Sequence, residues 1–172
     1  MKIEIENLIK DVPDFPKKGI VFKDITPLLA DPKAFAVMVD RLCEPFVGKG
    51  IHIVAGVESR GFLLATPMAY RLGAGVVPIR KKGKLPRAVK SASYSLEYGT
   101  DSIEAHADAF PKGTKVLLVD DVLATGGTAA AAVQLIEEIG GTVAGASFLI
   151  ELGFLNGRTK LPGKSVHSLV TY

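Results

Sequence analysis

The sequence contains 172 residues, which is the usual size of one compact domain with a sizeable hydrophobic core. Hydrophobic residues make up 48% of it and charged residues 23%, with no low-complexity tract, so the composition excludes a disordered chain and predicts a globular protein. The formal net charge of +3 is too small to predict nucleic-acid binding by itself.

The cysteine and histidine content limits the redox and metal chemistry. A single cysteine, Cys43, excludes an internal disulfide, and we expect it to be an ordinary buried thiol of a helix. His52, His106 and His167 are too scattered to predict a zinc site. The first residues lack the cationic and apolar segments of a signal peptide, and no apolar run approaches the ~20 residues of a membrane span. We therefore expect a cytoplasmic protein with no membrane partner.

Short apolar runs alternate with amphipathic segments along most of the chain. After a turn-rich N-terminal third, the pattern predicts helices at residues 33–47, 61–73 and 128–141 and strands at 51–57, 75–79, 116–122 and 142–152. This alternation predicts an α/β fold with a mostly parallel sheet that helices cover on both faces. Residues 81–102 fall outside the pattern. They are polar and weakly periodic, which is typical of a mobile functional loop or flap.

The stretch VLLVDDVLATGGTA, at residues 116–129, combines two acidic residues with a glycine pair. Asp120 and Asp121 follow the apolar residues of a predicted strand, where open α/β sheets bind ligands. Gly126 and Gly127 precede a helix, and the N–H groups at a helix start suit a phosphate. The spacing matches neither the Walker A nor the dinucleotide-binding pattern. Carboxylates accept hydrogen bonds from sugar hydroxyls and can hold magnesium, so the stretch predicts a ribose 5-phosphate site.

The same stretch resembles the signature of type I phosphoribosyltransferases, which bind 5-phosphoribosyl 1-diphosphate. Four further segments, FPKKGIVFKDITPLL, VAGVESRGFLLA, IRKKGKLP and SYSLEYGT, resemble the adenine phosphoribosyltransferase family in that family's order, over roughly residues 13–152. The resemblance implies one phosphoribosyltransferase domain spanning residues 1–172, with a small N-terminal hood at about 1–32 and a flexible flap at about 81–102. It also implies transfer of ribose 5-phosphate from the donor to adenine, which gives AMP and diphosphate, and a homodimer.

For the donor, the resemblance implies two sets of site residues. The ribose 5-phosphate would bind to Asp120, Asp121, Ala124, Thr125, Gly126, Gly127 and Thr128, and the diphosphate to Glu58, Ser59, Arg60, Lys81 and Lys84. The planar charge of Arg60 suits a diphosphate, and the family carries a cis peptide that would fall at Glu58-Ser59. Lys82 is expected to be solvated. Magnesium is the implied cofactor, held through the donor diphosphate and water, and no side chain is assigned as its direct ligand.

For adenine, the resemblance assigns the Watson-Crick edge of the base to the backbone of Val21, Phe22 and Lys23. Phe22 and Leu152 would contact the faces of the ring. Lys23 departs from the commoner family pattern, which has arginine at that position, so the role of its side chain stays open. Glu97 resembles the flap glutamate that handles a purine proton, which makes Glu97, Asp120 and Asp121 the candidate catalytic residues.

Two other functions remain open at this stage. A transferase of the same family could act on xanthine, hypoxanthine or guanine, although a backbone segment matched to adenine should reject these bases because their edges reverse donor and acceptor. A regulatory protein of the same fold would sense the donor and bind DNA. It would usually carry an added DNA-binding domain, and the sequence has neither such a domain nor a long basic stripe, so we expect no nucleic-acid partner.

Overall fold

The computed structural model of the chain describes residues 4–96 and 99–172. Its backbone divides into two compact units, residues 1–41 and residues 42–172. The smaller unit contains a two-stranded sheet, and the larger unit contains a seven-stranded sheet.

The N-terminal unit is built around a short antiparallel strand pair. A 3-10 turn at Ile5–Leu8 precedes β1, Lys10–Pro13, which pairs with β2, Val21–Asp24. The connection between the strands turns at Asp14, whose φ is +59° and whose carboxylate accepts the N–H of Gly19 at 2.7 Å. An aspartate side chain that bonds nearby backbone tolerates this left-handed conformation, so the turn-rich sequence closes a hairpin here.

Two helices follow the hairpin. The first is α1, Thr26–Ala30, and the second is α2, Pro32–Cys43. The prediction of one helix over residues 33–47 was wrong at its C-terminal end, because α2 stops at Cys43 and a 3-10 turn follows at Glu44–Phe46. Pro45 lacks an N–H group and its ring clashes with the preceding turn of an α-helix, which accounts for the earlier end.

The larger unit has the α/β organisation that the sequence predicts. Its elements are β3 (Ile53–Val57), α3 (Arg60–Leu72), β4 (Gly75–Lys81), β5 (Val89–Leu96), β6 (Gly99–His106), β7 (Lys115–Leu123), α4 (Gly127–Ile139), β8 (Thr142–Glu151) and β9 (Val166–Thr171). The strand order is β5-β6-β4-β3-β7-β8-β9, and the five strands from β4 to β9 in that order are parallel. The prediction of a mostly parallel sheet is confirmed.

Helices α3 and α4 cover opposite faces of this sheet. Ala55 and Val57 of β3 belong to the buried cluster that contains the apolar residues of α4. A Cβ atom on Gly56, which points the other way, would lie 2.7 Å from the Cβ of Ala65 in α3. A glycine at residue 56 is therefore needed for the close approach of α3 to the sheet.

The expected irregular loop at residues 81–102 is mostly β-structure, so that prediction was wrong in its secondary structure. Residues 89–96 form the edge strand β5, which pairs antiparallel with β6 along its full length. Ala92 and Tyr94 pack against the core, whereas Ser91, Ser93 and Ser95 are exposed. Because a solvent-facing edge strand needs few apolar side chains, its hydrophobic signal was too weak to reveal it.

Other sequence predictions can be compared directly with the structure. The helix ends predicted at glycines are confirmed, since Gly73 follows α3 with φ +67° and Gly140 follows α4 with φ +105°. Cys43 is a buried thiol at the end of α2, as expected. Strand β9 was not predicted. Within residues 4–96 and 99–172, no helix has both the length and the apolar character that crossing a membrane requires.

Candidate active site

The loop between β7 and α4 forms a small cavity. Residues 124–128, all predicted to bind the 5-phosphate, line a space of about 80 Å³ together with Asp120 and Val122, Leu123 and Ala129. Gly126 has φ +80°, which favours glycine, and its carbonyl accepts the N–H of Ala130 at 2.9 Å to begin the helix. The N–H groups of the first helical turn have no partner within the helix, and together with the helix dipole they favour an anion in this cavity.

A second cavity, of about 170 Å³, lies beside the first. Its lining residues come from five strands, the turn after β3 and the start of two helices: Val57, Glu58, Ser59, Arg60, Lys81, Tyr94, Ile103, Asp120, Asp121 and Thr128. Asp120 and Thr128 line both cavities. The structure therefore places the predicted phosphate loop next to four of the five predicted diphosphate residues.

Asp120 and Asp121 have different surroundings although they are adjacent in β7. The buried Asp121 carboxylate forms an ion pair with Arg60, with 2.7 Å between Oδ2 and Nε. The Oδ1 atom of Asp120 accepts the N–H of Asp121 at 2.9 Å. Burial, together with the neighbouring Asp121 charge, raises the pKa of Asp120 well above its usual range. The pair therefore combines one carboxylate that already contacts an arginine with another that would gain from a further cation or hydrogen-bond donor.

The Glu58 carboxylate is surrounded by two cationic side chains and a backbone N–H group. It accepts the backbone N–H of Lys81 at 2.8 Å, lies 3.3 Å from Nε of Arg80 and forms an ion pair with Lys84. Burial opposes the charged form, but the hydrogen bonds from Lys84 and Lys81 and the charges of Lys84 and Arg80 outweigh it and lower the pKa of Glu58. The Glu58-Ser59 peptide is cis, which confirms the conformation implied by the family resemblance.

Comparison with known proteins identifies the family. A family model described as the phosphoribosyl transferase domain matches residues 30–165. The adenine phosphoribosyltransferase of Geobacter metallireducens is 59% identical over 169 residues, which cover 98% of this chain and 99% of that protein. The chain belongs to the adenine phosphoribosyltransferase family. Its expected type I phosphoribosyltransferase fold is thereby confirmed.

Solved structures of adenine phosphoribosyltransferases superpose closely on the chain. The enzyme from Rhodothermus marinus gives a TM-score of 0.95 at 51% identity and covers 98% of this chain and 96% of its own. The enzyme from Saccharomyces cerevisiae gives a TM-score of 0.91 at 41% identity over 96% of both chains, and its structure contains an imino-altritol bisphosphate and adenine. The backbone that carries both cavities is thus the backbone of this family.

Two side chains near the predicted diphosphate residues, Tyr94 and Asp101, were not predicted from the sequence. Lys81 forms an ion pair with Asp101 of β6 and lies 3.2 Å from the hydroxyl of Tyr94 in β5, which in turn lies 3.1 Å from Asp101. Burial would lower the pKa of Lys81, but its hydrogen bonds to Asp101 and Tyr94 raise it, and the hydrogen bond from Lys81 is the main reason that the pKa of Asp101 is lowered. Tyr94 is the one aromatic residue of β5, and the hydrophobic signal of that strand was too weak to identify its role.

The predicted adenine-binding residues are divided between the two units of the chain. Val21, Phe22 and Lys23 lie in β2, and the Phe22 ring contacts the ring of Phe15 edge to face at 5.1 Å. The ammonium of Lys23 lies 2.6 Å from a carboxylate oxygen of Asp11, its neighbour across the strand pair. Leu152 follows β8 in the larger unit, and its N–H bonds to the carbonyl of Leu123 at 2.9 Å.

Two further predictions concern the flap and the charged run beside β4. Glu97, the predicted proton-handling residue, lies outside the described residues. Lys82 is exposed, in agreement with the expectation that it is solvated, and Lys84 is held by Glu58. The flap therefore reaches the site through Tyr94 and Asp101, which contact Lys81. The role of Glu97 stays a prediction.

Proposed function

We propose that this chain transfers ribose 5-phosphate from 5-phosphoribosyl 1-diphosphate to adenine, giving AMP and diphosphate in purine salvage. The observation that carries the proposal is the junction of the two cavities at Asp120 and Thr128. A donor with a phosphate at one end of a ribose and a diphosphate at the other requires two adjacent anion sites with hydrogen-bond acceptors between them. The two cavities and the aspartates between them meet that requirement.

On the ribose 5-phosphate side, the loop Ala124–Thr128 holds the phosphate with its backbone N–H groups and the hydroxyls of Thr125 and Thr128. Asp120 and Asp121 accept hydrogen bonds from the ribose hydroxyls. As the bond between C1 and the diphosphate breaks, positive charge develops on the ribose. Carboxylates positioned beside it before the reaction begins stabilise that charge.

On the diphosphate side, Arg60, Lys81 and Lys84 stabilise the negative charge of the leaving group, and Ser59 supplies a polar contact. The lowered pKa of Glu58 keeps its carboxylate charged at neutral pH, and direct contact with the diphosphate would be repulsive. Glu58 therefore acts through the cations that it holds, Lys84 and Arg80. These contacts within the protein hold the cations in place, which limits the reorganisation that donor binding requires.

Magnesium is proposed as the cofactor, and the residues present fit it. Among residues 4–96 and 99–172, no group of three or more Asp, Glu, His or Cys side chains is placed to hold a metal ion. Asp120 and Asp121 nevertheless present carboxylate oxygens, which can act as metal ligands, at the wall of the second cavity. Magnesium in proteins usually takes one or two carboxylates, several waters and substrate phosphate oxygens. When bound, it would share the neutralisation of the leaving diphosphate.

Adenine selection is proposed to depend on backbone groups. Adenine presents an N6 donor beside an N1 acceptor, and an extended backbone such as Val21–Lys23 presents the matching carbonyl and N–H. Phe22 and Leu152 contact the ring faces, and Glu97 handles the purine proton as N9 bonds to C1. The ion pair between Lys23 and Asp11 supports reading the base through the backbone of residue 23 rather than through its side chain.

The assembly and location are also proposals. A homodimer in the cytoplasm, with no nucleic-acid or membrane partner, is the state we propose for the active enzyme. The exposed apolar side chains Leu63 and Tyr70 of α3 support an interface on that helix, since Tyr70 is 91% exposed and Leu63 is 52% exposed. Sedimentation of the purified protein tests the dimer directly.

The decisive experiment offers the purified protein the donor, magnesium and one purine base at a time. We expect AMP from adenine and no comparable product from hypoxanthine, guanine or xanthine, because the reversed edges of the oxopurines leave backbone groups unpaired. Omission of the divalent cation should abolish the reaction. Comparable turnover of an oxopurine would contradict the adenine assignment and leave the family intact. Binding of the donor without turnover of any base would favour the regulatory alternative.

A further inference from the structure

The connection between β8 and β9 lies directly behind the phosphate loop. It contains two 3-10 turns, Gly153–Leu155 and Gly157–Lys160, and the second of them packs against α4. Gly157 is buried, although the residues on either side of it are exposed. A buried glycine between exposed neighbours indicates that something approaches its backbone closely.

The group that approaches is the phosphate loop itself. A Cβ atom added to Gly157 would lie 2.3 Å from the carbonyl oxygen of Ala124 and 3.1 Å from the backbone nitrogen of Gly126. A Cβ atom added to Gly126 would lie 2.4 Å from the carbonyl oxygen of Gly157. Two stretches of bare backbone are therefore in contact, with no side chain between them.

The conformation of Gly157 does not explain the glycine. Its φ is outside the left-handed region, in contrast to Gly126, whose φ is +80°. Alanine could therefore adopt the backbone angles of residue 157 without strain. The requirement for glycine comes from the space taken by the loop, and backbone atoms cannot move aside as the end of a flexible side chain can.

Arg158 fixes the position of Gly157 relative to the sheet. Its guanidinium donates two hydrogen bonds to the buried carboxylate of Glu151 at the end of β8, at 2.6 and 2.7 Å. It donates a third to the carbonyl of Val166 in β9 at 2.8 Å. The hydrogen bonds from Arg158 are the main reason that the pKa of Glu151 is lowered. A planar arginine held at three points is a rigid anchor for the residue before it.

We propose that Gly157 is a positioning residue for the 5-phosphate: its bare backbone, anchored by Arg158, supports the phosphate loop from behind and sets where its N–H groups point. This inference rests on the proposed binding of the 5-phosphate by Ala124–Thr128. Gly157 touches no substrate in this scheme. It acts through Ala124 and Gly126, whose positions determine the depth of the phosphate cavity.

The test uses Gly157→Ala, with Gly153→Ala as the matched control. Gly153 lies in the same connection with φ outside the left-handed region, and an added Cβ would meet the Thr171 side chain at 3.3 Å as its nearest neighbour. Calorimetry with ribose 5-phosphate should give a Kd about tenfold or more above wild type for Gly157→Ala, the equivalent of one charge-assisted hydrogen bond lost. The control should stay within about twofold of wild type.

Steady-state kinetics separates positioning from a general loss of structure. Gly157→Ala should raise the KM for the donor about tenfold while the KM for adenine changes less than about threefold, because only the donor carries the 5-phosphate. Equal increases in both KM values would indicate general damage and overturn the inference. Thermal melting of each variant establishes that the proteins compared are folded.

A second variant covers the case in which Gly157→Ala does not fold. Arg158→Lys keeps the charge but cannot form the paired hydrogen bonds to Glu151, so the anchor loosens without a clash. We expect a rise of about threefold or more in the Kd for ribose 5-phosphate. The inference is overturned if folded Gly157→Ala binds ribose 5-phosphate within about twofold of wild type. If Gly157→Ala does not fold, the same result with Arg158→Lys overturns it. It is also overturned if the wild type does not bind ribose 5-phosphate. Wild type that binds ribose 5-phosphate without forming AMP would contradict the proposed function alone.

Discussion

Replacing the two site aspartates one at a time should give similar losses of catalysis but different changes in folding stability. Asparagine matches aspartate in shape, so Asp120→Asn and Asp121→Asn each remove a charge and little else. The structure places these charges in different surroundings. Asp121 is paired with Arg60, whereas Asp120 is half-buried and lies beside another carboxylate.

The effect of Asp121→Asn on stability follows from the ion pair that it breaks. The Asp121 side chain is 8% exposed and that of Arg60 is 34% exposed, with 2.7 Å between the charged atoms. Removing one partner of a fully buried pair typically costs ~3–5 kcal/mol, because the other charge is left uncompensated. Since water still reaches about a third of Arg60, we expect a loss of about 2 kcal/mol in the free energy of unfolding.

The effect of Asp120→Asn should have the other sign or be close to zero. Burial, with the nearby Asp121 charge, raises the pKa of Asp120, so the folded protein disfavours the charged carboxylate. The Oδ1 atom of asparagine can still accept the N–H of residue 121. A raised pKa contributes stability that is complete below the unfolded-state pKa and is lost as the pH rises through the folded-state pKa. The variant should therefore gain on wild type as the pH rises through that window.

Both substitutions should impair use of the donor. Each removes a charged acceptor from the ribose and its metal, and hydrogen bonds to charged groups contribute ~1.5–3 kcal/mol, so we expect kcat/KM for the donor to fall about tenfold to a hundredfold. Urea unfolding and initial rates of AMP formation measure the two effects separately. Unchanged donor KM and kcat in both variants would refute the assigned roles. A loss of more than about 2 kcal/mol in Asp120→Asn at neutral pH would refute the argument from burial.

Three further predictions concern the loop, the flap and the anchor behind the loop. Thr125→Val combined with Thr128→Val should weaken AMP binding in calorimetry while the melting temperature stays near that of wild type, because the hydroxyls donate to the 5-phosphate; retained AMP affinity would count against the phosphate cavity. Glu97→Gln should lower the single-turnover rate by ~10²- to 10⁴-fold if Glu97 transfers the purine proton, and a rate within about threefold of wild type would exclude that role. The lowered pKa of Glu151 means that its contribution to stability is present above the unfolded-state pKa and is lost as the pH falls through the folded-state value. Glu151→Gln should therefore flatten the acid limb of the stability profile, and an unchanged limb would contradict this.

The parts of the site that follow a strand directly were predictable from the sequence. Glu58 follows β3, Lys81 ends β4 and Asp120 lies near the end of β7, and these three strands are parallel neighbours in the order β4-β3-β7. Parallel neighbours place their carboxyl ends at one edge of the sheet, so residues far apart in sequence meet there. Hydrophobic runs identified these strands because β3 and β7 are largely buried on both faces, and β4 buries Val77 and Ile79.

The parts of the site that depend on edge strands, or on contacts between backbone atoms, could not be predicted from the sequence. Strands β5 and β9 lie at the two edges of the sheet, where polar residues on the outer side weaken the apolar pattern. Gly157 gives no sequence signal of its own, since a glycine in a turn-rich connection usually serves a turn. Only the contact of its backbone with Ala124 and Gly126 distinguishes it.

The same reasoning explains why the charge pattern around Lys81 could not be predicted. Residue 81 was expected to meet the diphosphate, and in the structure its ammonium is held by Asp101. Asp101 reaches it because β6 pairs antiparallel with β4 on one side and with β5 on the other. Tyr94 and Asp101 are directly opposite each other across β5 and β6. Contacts within the protein therefore order this ammonium, and they, rather than the donor, largely offset the cost of immobilising a flexible lysine side chain, ~2 kcal/mol.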